Sequence, residues 1–417
     1  MSRLAELVDG GRVVADLRDL DRLTADEYGA QRVCWTPTWR RAREWMGEGL
    51  EGLGARPHQD AAGNAWAVLD GEDRSRSILI GGHIDSVPNG GWLDGALNLV
   101  AGVEVLRAVA SRGVPPVNVA LVDWADEEGA RFGRGLVGSS AASGTLDPAE
   151  LAGLRDRDGV AMPDALADFD VDLGSILDAR RELESAVSYF ELHIEQGPAL
   201  ENLGLPLAVV TGTVGVERHV VRFTGEALHA GSTPMDSRHD AFLAAARLAV
   251  DLREQAIEAG ALVTNGRCET EPGIATATAA RAEMWTDQRH PDADVLASLL
   301  AGSVCRSEAI AAEEGVSVEW SDLWRIEPIE FDPELINLAE AAIAATSGEA
   351  PRLPSGALHD AAEVARAGIP TVMLFVRSIG GISHNKAEDS AETDLILATE
   401  ALAESVDRQI DRWRHDA

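Results

Sequence analysis

Metal-ligand residue types recur in short motifs along this chain: His83, Asp94, the tandem Glu127-Glu128, His193 and His384. The first motif is Gly82-His83-Ile84-Asp85-Ser86, which follows the apolar run Ile78-Leu79-Ile80. Asp94 comes soon after, in the loop Gly90-Gly91-Trp92-Leu93-Asp94-Gly95. Side chains two residues apart on a strand leave the same face. An imidazole beside a carboxylate is the usual pairing of a metal ligand with the group that orients it. Asp85 is therefore expected to orient His83. Imidazoles and carboxylates without any Cys suit Zn²⁺, Mn²⁺, Co²⁺ or Ni²⁺ and do not select among them. Six such groups are too many for one tetrahedral ion, but they suit two ions, a bridging carboxylate and one free base. Two ions about 3.5–4 Å apart can share a water, lower its pKa and polarise a carbonyl oxygen. Adjacent residues at a strand end point in different directions, so one of Glu127 and Glu128 can ligate while the other takes the water's proton.

The elements that must position these groups follow from the pattern. Ser77–Ile80 reads as a buried strand and the stretch from Gly95 to Ala110 as a helix, which places His83 at the C-terminal mouth of a strand, where open α/β sheets bind ligands. Ala65–Leu69 is expected to be a neighbouring strand, and Val117–Trp124 a third that runs into Glu127 and Glu128. In Tyr189-Phe190-Glu191-Leu192-His193-Ile194-Glu195-Gln196-Gly197-Pro198 the apolar and polar residues alternate, as on a strand. The first part, Leu4 to Leu53, looks helical. From about Gly212 a smaller α+β unit begins. It has alternating stretches at 214–223 and 273–285, helices at 240–258 and 292–314, a strand at 316–320, and a mixed sheet with helices on one face. From Phe331 the larger texture returns, with a strand at 371–376 and a last helix at 393–413. The predicted class is α/β: a catalytic metal-binding domain (1–211 and 327–417) around a central mixed, mostly parallel sheet flanked by helices, and an inserted lid and dimerisation domain (212–326).

Composition narrows the partners. The 417 residues carry a formal charge of −34, and Lys386 is the single lysine. That argues against nucleic acid and anionic membranes. No run of eighteen apolar residues occurs, and the first ten residues carry no signal pattern. Three scattered cysteines, Cys34, Cys268 and Cys305, fit a reducing, cytoplasmic setting.

The stretch His83 to Gly91 with Asp94-Gly95-Ala96, then Glu127-Glu128-Gly129-Ala130-Arg131-Phe132, resembles the hydantoinase/carbamoylase branch of the dinuclear metallopeptidase superfamily of aminoacylase-like hydrolases. Glu191 to Pro198 resembles the third motif of that branch. His229-Ala230-Gly231-Ser232-Thr233-Pro234-Met235 resembles its lid motif, and Gly381-Ile382-Ser383-His384 its last metal motif. The motifs occur in the family's order and span most of the chain.

The resemblance implies that His83 and His193 hold one ion and Glu128 and His384 a second, with Asp94 bridging and Asp85 orienting His83. Glu127 would be the general base and then the acid. His229, from the lid of a neighbouring subunit in a homodimer, would hold the developing oxyanion. Gln196 would contact the ureido or amide group, Arg289 a substrate carboxylate, and His359 the substrate site. Two positions depart from the family: Thr276 stands where an Asn commonly grips the carboxylate, and Leu228 replaces a smaller residue. Both lie on the substrate side. The implied activity is hydrolysis of a linear C–N bond in a small ureido or amide molecule, with two divalent ions per chain. An N-carbamoyl-L-amino acid is the first substrate to expect; allantoate or an acyl-amino acid is the alternative, and a non-catalytic metal-dependent binding protein is the remote one.

Overall fold

A computed structural model describes residues 3–415. The chain divides into two compact units, one of Met1–Gly212 with Glu330–Ala417 and one of Thr213–Ile329.

The larger unit is built on a nine-stranded mixed sheet. Its centre runs Thr371–Val376, Ala186–Ile194, Asp73–Gly82, Val117–Asp123, all paired in parallel. Antiparallel strands flank these four: Leu207–Thr213 on one side, Ala65–Leu69 and then Arg56–Gln59 on the other. Central parallel strands are covered on both faces, so they read as continuous apolar runs. Val117–Asp123 and Thr371–Val376 are buried at every residue. The helices Gly10–Thr24, Pro37–Leu50, Ala96–Ser111, Pro333–Ser347 and Glu392–His415 pack around this sheet.

Two expectations are corrected here. Ala65–Leu69 does not pair with the Asp73–Gly82 strand; Val117–Asp123 lies between them. The parallel crossover through helix Ala96–Ser111 returns the chain to the side that a hairpin would have used. The N-terminal stretch is also not wholly helical, because the short hairpin Ala25–Asp26/Gly29–Ala30 separates its first two long helices.

The smaller unit is a four-stranded sheet in the order Leu262–Glu271, Arg281–His290, Gly215–Thr224, Ser317–Ile326. Every pairing is antiparallel, not mixed as expected. Helices Ala241–Ala259 and Ala293–Glu314 start on Asp240 and Asp292, whose carboxylates accept first-turn N–H groups. Together with Val221, Phe223, Ala282 and Met284 of the sheet, Leu248, Leu252 and Ile310 of these helices form the core. Ala293–Glu314 is long and apolar enough to cross a membrane by composition, yet one of its faces belongs to this core. The 273–280 stretch, expected as strand, is a loop, and the strand lies at Arg281–His290.

Candidate metal centre

The larger unit gathers every candidate metal ligand around Asp94. His83 is the first residue beyond its strand and His193 lies near the end of its own. Both imidazoles are buried, and each has its Nδ1 on a backbone carbonyl. His83 Nδ1 is 3.1 Å from the Asp85 oxygen and His193 Nδ1 is 2.8 Å from that of Ile194. A carbonyl can only accept, so each Nδ1 carries a proton and Nε2 is the nitrogen left to face a metal. The two Nε2 atoms lie 3.9 Å and 3.2 Å from Asp94 Oδ1. On the other side of the carboxylate, Asp94 Oδ2 is 3.3 Å from His384 Nε2, which is 3.3 Å from Glu128 Oε2. Asp94 thus offers one oxygen to His83 and His193 and the other to His384 and Glu128.

The residues fit divalent ions. His83 Nε2 is buried with no hydrogen-bond partner among the described residues, and a buried polar atom without a partner is costly. The donors form two groups, His83-Asp94-His193 and Asp94-Glu128-His384, each compact enough to hold an ion. Local backbone geometry serves the same centre. Gly95 has φ +64, and a Cβ there would overlap the His83 imidazole. Asp126, Gln196 and His384 adopt positive φ without being glycine, the sort of backbone strain that clusters at functional sites.

The charges are strongly coupled. Burial pushes the His83 imidazole down to about 4. Burial opposes the charged form of His193 most, but the bond to Asp94, the charges of Asp94 and Glu191 and the Ile194 carbonyl together outweigh it and hold the imidazole up at about 9. The same carboxylate raises His384 to about 9. Burial, then repulsion from Asp94, lifts Glu128 to about 8. Burial, then Asp360, Glu128 and Asp85, pushes Glu127 well above the carboxylate range. At pH 7 the metal-free centre therefore holds protons on His193, His384 and Glu128 that ligation must expel. Metal uptake at pH 7 is expected to release roughly three protons per chain, and above about pH 10 the release should vanish. Calorimetric titration in buffers of different ionisation enthalpy measures this; uptake without proton release at pH 7 contradicts the ligand set.

Asp85, expected to orient His83, meets it chiefly through the main chain. Its carboxylate is 3.7 Å from His83 Nδ1, which bonds the main-chain oxygen of Asp85 instead. The two carboxylate oxygens accept the N–H groups of Glu127 and Glu128 at 3.4 Å and 3.3 Å. The strand ends at Gly82, so the two-residue alternation does not extend across His83 and Asp85. Asp85 acts on His83 through its backbone and holds the Glu127-Glu128 turn through its side chain. Asp85→Asn replaces one acceptor by a donor facing an N–H. It is expected to lower kcat by about 10–100-fold with a native circular dichroism spectrum; an unaltered kcat would refute this role.

The other expected site residues divide between the units. In the larger unit, the Gln196 amide donates to Asp94 Oδ2 at 3.0 Å. His359 is buried, with Nε2 2.8 Å from Ser355 Oγ and its ring 4.4 Å from that of His193. In the smaller unit, His229 is exposed; its Nδ1 accepts the Gly231 N–H, which leaves Nε2 for any further partner. Exposed Thr276 lies beside it, its carbonyl accepting the Ala230 N–H at 2.9 Å. Arg289 is held by Asp287, with Nε 2.7 Å from Oδ1. It lies at the far end of its strand. The His229–Ala277 bridge adjoins the Arg281 end, while Arg289 pairs with Val216. Eight residues at about 3.3 Å each put the two ends about 26 Å apart.

Two residues that the sequence reading missed support the centre. Arg32 is fully buried; its Nε donates to the Ile84 carbonyl at 2.8 Å, and its backbone N–H and C=O pair with Ser86. It clamps the turn between His83 and Ser86. Glu388 accepts N–H groups at Asp94. Neither has a sequence signal beyond the position of Glu388, four residues past His384.

Residues 79–408 match the model of Peptidase family M20/M25/M40. An N-carbamoyl-L-amino acid amidohydrolase of Geobacillus stearothermophilus is 35% identical over 406 residues, 96% of this chain and 98% of the relative. The allantoate amidohydrolase of Bacillus subtilis (strain 168) is 30% identical over 380 residues, 90% of this chain and 92% of the relative. The crystal structure of a hydantoinase/carbamoylase family amidase from Burkholderia ambifaria matches with a TM-score of 0.87 at 30% identity, over 97% of this chain and 98% of that one. With motifs, fold and full-length similarity in agreement, the chain belongs to Peptidase family M20/M25/M40 and is a hydrolase of its hydantoinase/carbamoylase type.

Proposed function

We propose that this chain is an N-carbamoyl-L-amino acid hydrolase that works as a homodimer with two divalent ions per chain. The observation that carries this reading is Asp94, whose two oxygens face two separate ligand groups. Two ions held by His83, His193 and Asp94 and by Asp94, Glu128 and His384 would supply Lewis acidity to the ureido carbonyl and acidify a water. Glu127 takes the proton of the attacking water. Its buried, acid-rich surroundings raise its proton affinity, which suits a carboxylate that must hold that proton and then deliver it to the leaving nitrogen. His229 donates from Nε2 to the oxyanion as the ureido carbon becomes tetrahedral, and Arg289 takes the substrate carboxylate. Water is consumed, one ureido C–N bond breaks at the centre, and the carbamic acid so formed loses its remaining C–N bond in water, so that the products are the amino acid, ammonia and carbon dioxide.

Two features of the smaller unit support the dimer. His229 and Arg289 lie too far apart on one sheet to grip the same small substrate, so one site would draw them from two copies. Helix Ala241–Ala259 also leaves Phe242, Leu243, Val250 and Ile257 exposed beside the edge strand Leu262–Glu271, a surface that a second copy can cover. The cysteines are unpaired, which supports a reducing, cytoplasmic setting.

Ammonia release from metal-loaded protein tests the substrate. N-carbamoyl-L-amino acids are expected to give the highest kcat/KM, with allantoate and N-acyl-amino acids slower. Preference for allantoate would move the assignment to an allantoate amidohydrolase. Preference for acyl-amino acids would refute the ureido reading.

A further inference from the structure

We propose that Glu388 is a positioning residue for the metal centre: it fixes the main chain at Asp94 and, through Ser383, the loop that carries His384. The inference rests on the two-ion reading above. Glu388 is 2% exposed. Its Oε1 accepts the N–H groups of Leu93 and Asp94, both at 3.0 Å. Its Oε2 lies 3.1 Å from the hydroxyl of Ser383, the residue before His384. Ser383 Oγ is also 3.0 Å from Asp94 Oδ2, and the Gln196 amide reaches both atoms. One buried carboxylate therefore ties two loops that are far apart in sequence and that meet at the shared ligand.

The physical need is specific. Asp94 must aim one oxygen at each ligand group, yet it sits in a loop without regular hydrogen bonding. Leu93 and Asp94 are both buried, so without Glu388 their N–H groups would have no water to bond. N–H bonds to a carboxylate are stronger than bonds to a neutral acceptor and more directional than packing. Gly91 makes the approach possible. A Cβ there would overlap the Glu388 side chain, and Gly91 is not among the positive-φ glycines. Its missing side chain thus serves space rather than backbone freedom. The separation of the two ion sites is set by how these loops are held, and Glu388 is the group they share.

The test uses full-length protein loaded with Mn²⁺ and three variants: Glu388→Ala, Glu388→Gln and Gly91→Ala. Glu388→Gln keeps an oxygen for the two N–H groups. Gly91→Ala displaces Glu388 while leaving that residue itself unsubstituted. Metal content at fixed free Mn²⁺, the exchange-coupled spin-resonance signal of a manganese pair, and kcat and KM measured separately are the readouts. Glu388→Ala and Gly91→Ala should lose about 10–100-fold in kcat and in affinity for the second ion. Their coupled signal should be lost or altered, and KM should hardly change. Glu388→Gln should keep the coupled signal and most of kcat. A Glu388→Ala protein with native coupling and kcat overturns the proposal, and so does a Gln variant as damaged as the Ala variant. Should Glu388→Ala fail to fold, a Gly91→Ala protein with native coupling overturns it equally. Absence of any coupled pair in the unaltered chain would instead refute the two-ion reading, whatever the variants do.

Discussion

Glu127→Gln protein is expected to bind divalent metal as the native chain does and to turn over about 10²–10⁴-fold more slowly, the usual cost of removing a general base. Both halves of the prediction come from the geometry. Glu127 belongs to neither of the ligand groups that share Asp94. It lies beside them, its Oε2 3.9 Å from His83 Nε2. The amide of Gln has the same shape and can still accept hydrogen bonds, but it cannot take a proton at neutral pH. The backbone N–H that Asp85 holds is unchanged by the substitution, so the turn should stay in place. Glu128→Gln provides the contrast: it should lower metal content as well as kcat, because Glu128 faces His384 across an ion site. Metal analysis alongside steady-state kinetics separates the two. A Glu127→Gln protein that keeps most of its kcat removes Glu127 from the base role, and one that loses metal makes it a ligand.

The contrast between Glu127 and Glu128 also shows how far a sequence can be read. The tandem, with His83, His193 and His384, stands out because ligand residue types at strand ends are unusual there, and the apolar runs before them set the strands. Ile78-Leu79-Ile80 and Thr371–Val376 carry no alternation because both of their faces are covered. The strand Leu262–Glu271 was missed for the opposite reason. It is an edge strand exposed at most positions, so neither face needs an apolar pattern. Strand order was misread at Ala65–Leu69 because neighbours in sequence need not be neighbours in a sheet with a parallel crossover. Two supports of the centre were hidden for a further reason: Arg32 and Glu388 act largely on backbone groups. Every residue carries an N–H or a C=O, so the residues they hold show no compositional trace. The candidate ligands and Asp85 were therefore legible, and Arg32 and Glu388 were not.

The proposed dimer carries the most demanding prediction. Neither a Glu127→Gln chain nor a His229→Ala chain should turn over well alone: the first lacks the base, and the second lacks the oxyanion donor that it lends to its neighbour. In a mixed dimer, one active centre combines the native Glu127 of one chain with the native His229 of the other, and the second centre carries both defects. Random pairing makes half of the dimers mixed, each with one intact centre of two, so co-refolding should restore up to about a quarter of native activity. The separation of His229 from Arg289 by most of a strand's length is what motivates this arrangement, since one copy of the sheet cannot bring both to one small molecule. A Glu127→Gln chain mixed with an Arg289→Met chain distinguishes the two groups. If Arg289 serves the centre of its own chain, one centre of this mixed dimer lacks the base and the other lacks the arginine, so this pair should restore nothing. Activity from the His229 pair together with none from the Arg289 pair assigns His229 to the neighbouring chain and Arg289 to its own. If native mass spectrometry shows exchanged dimers and the His229 pair stays inactive, His229 acts within its own chain or has no part in the reaction.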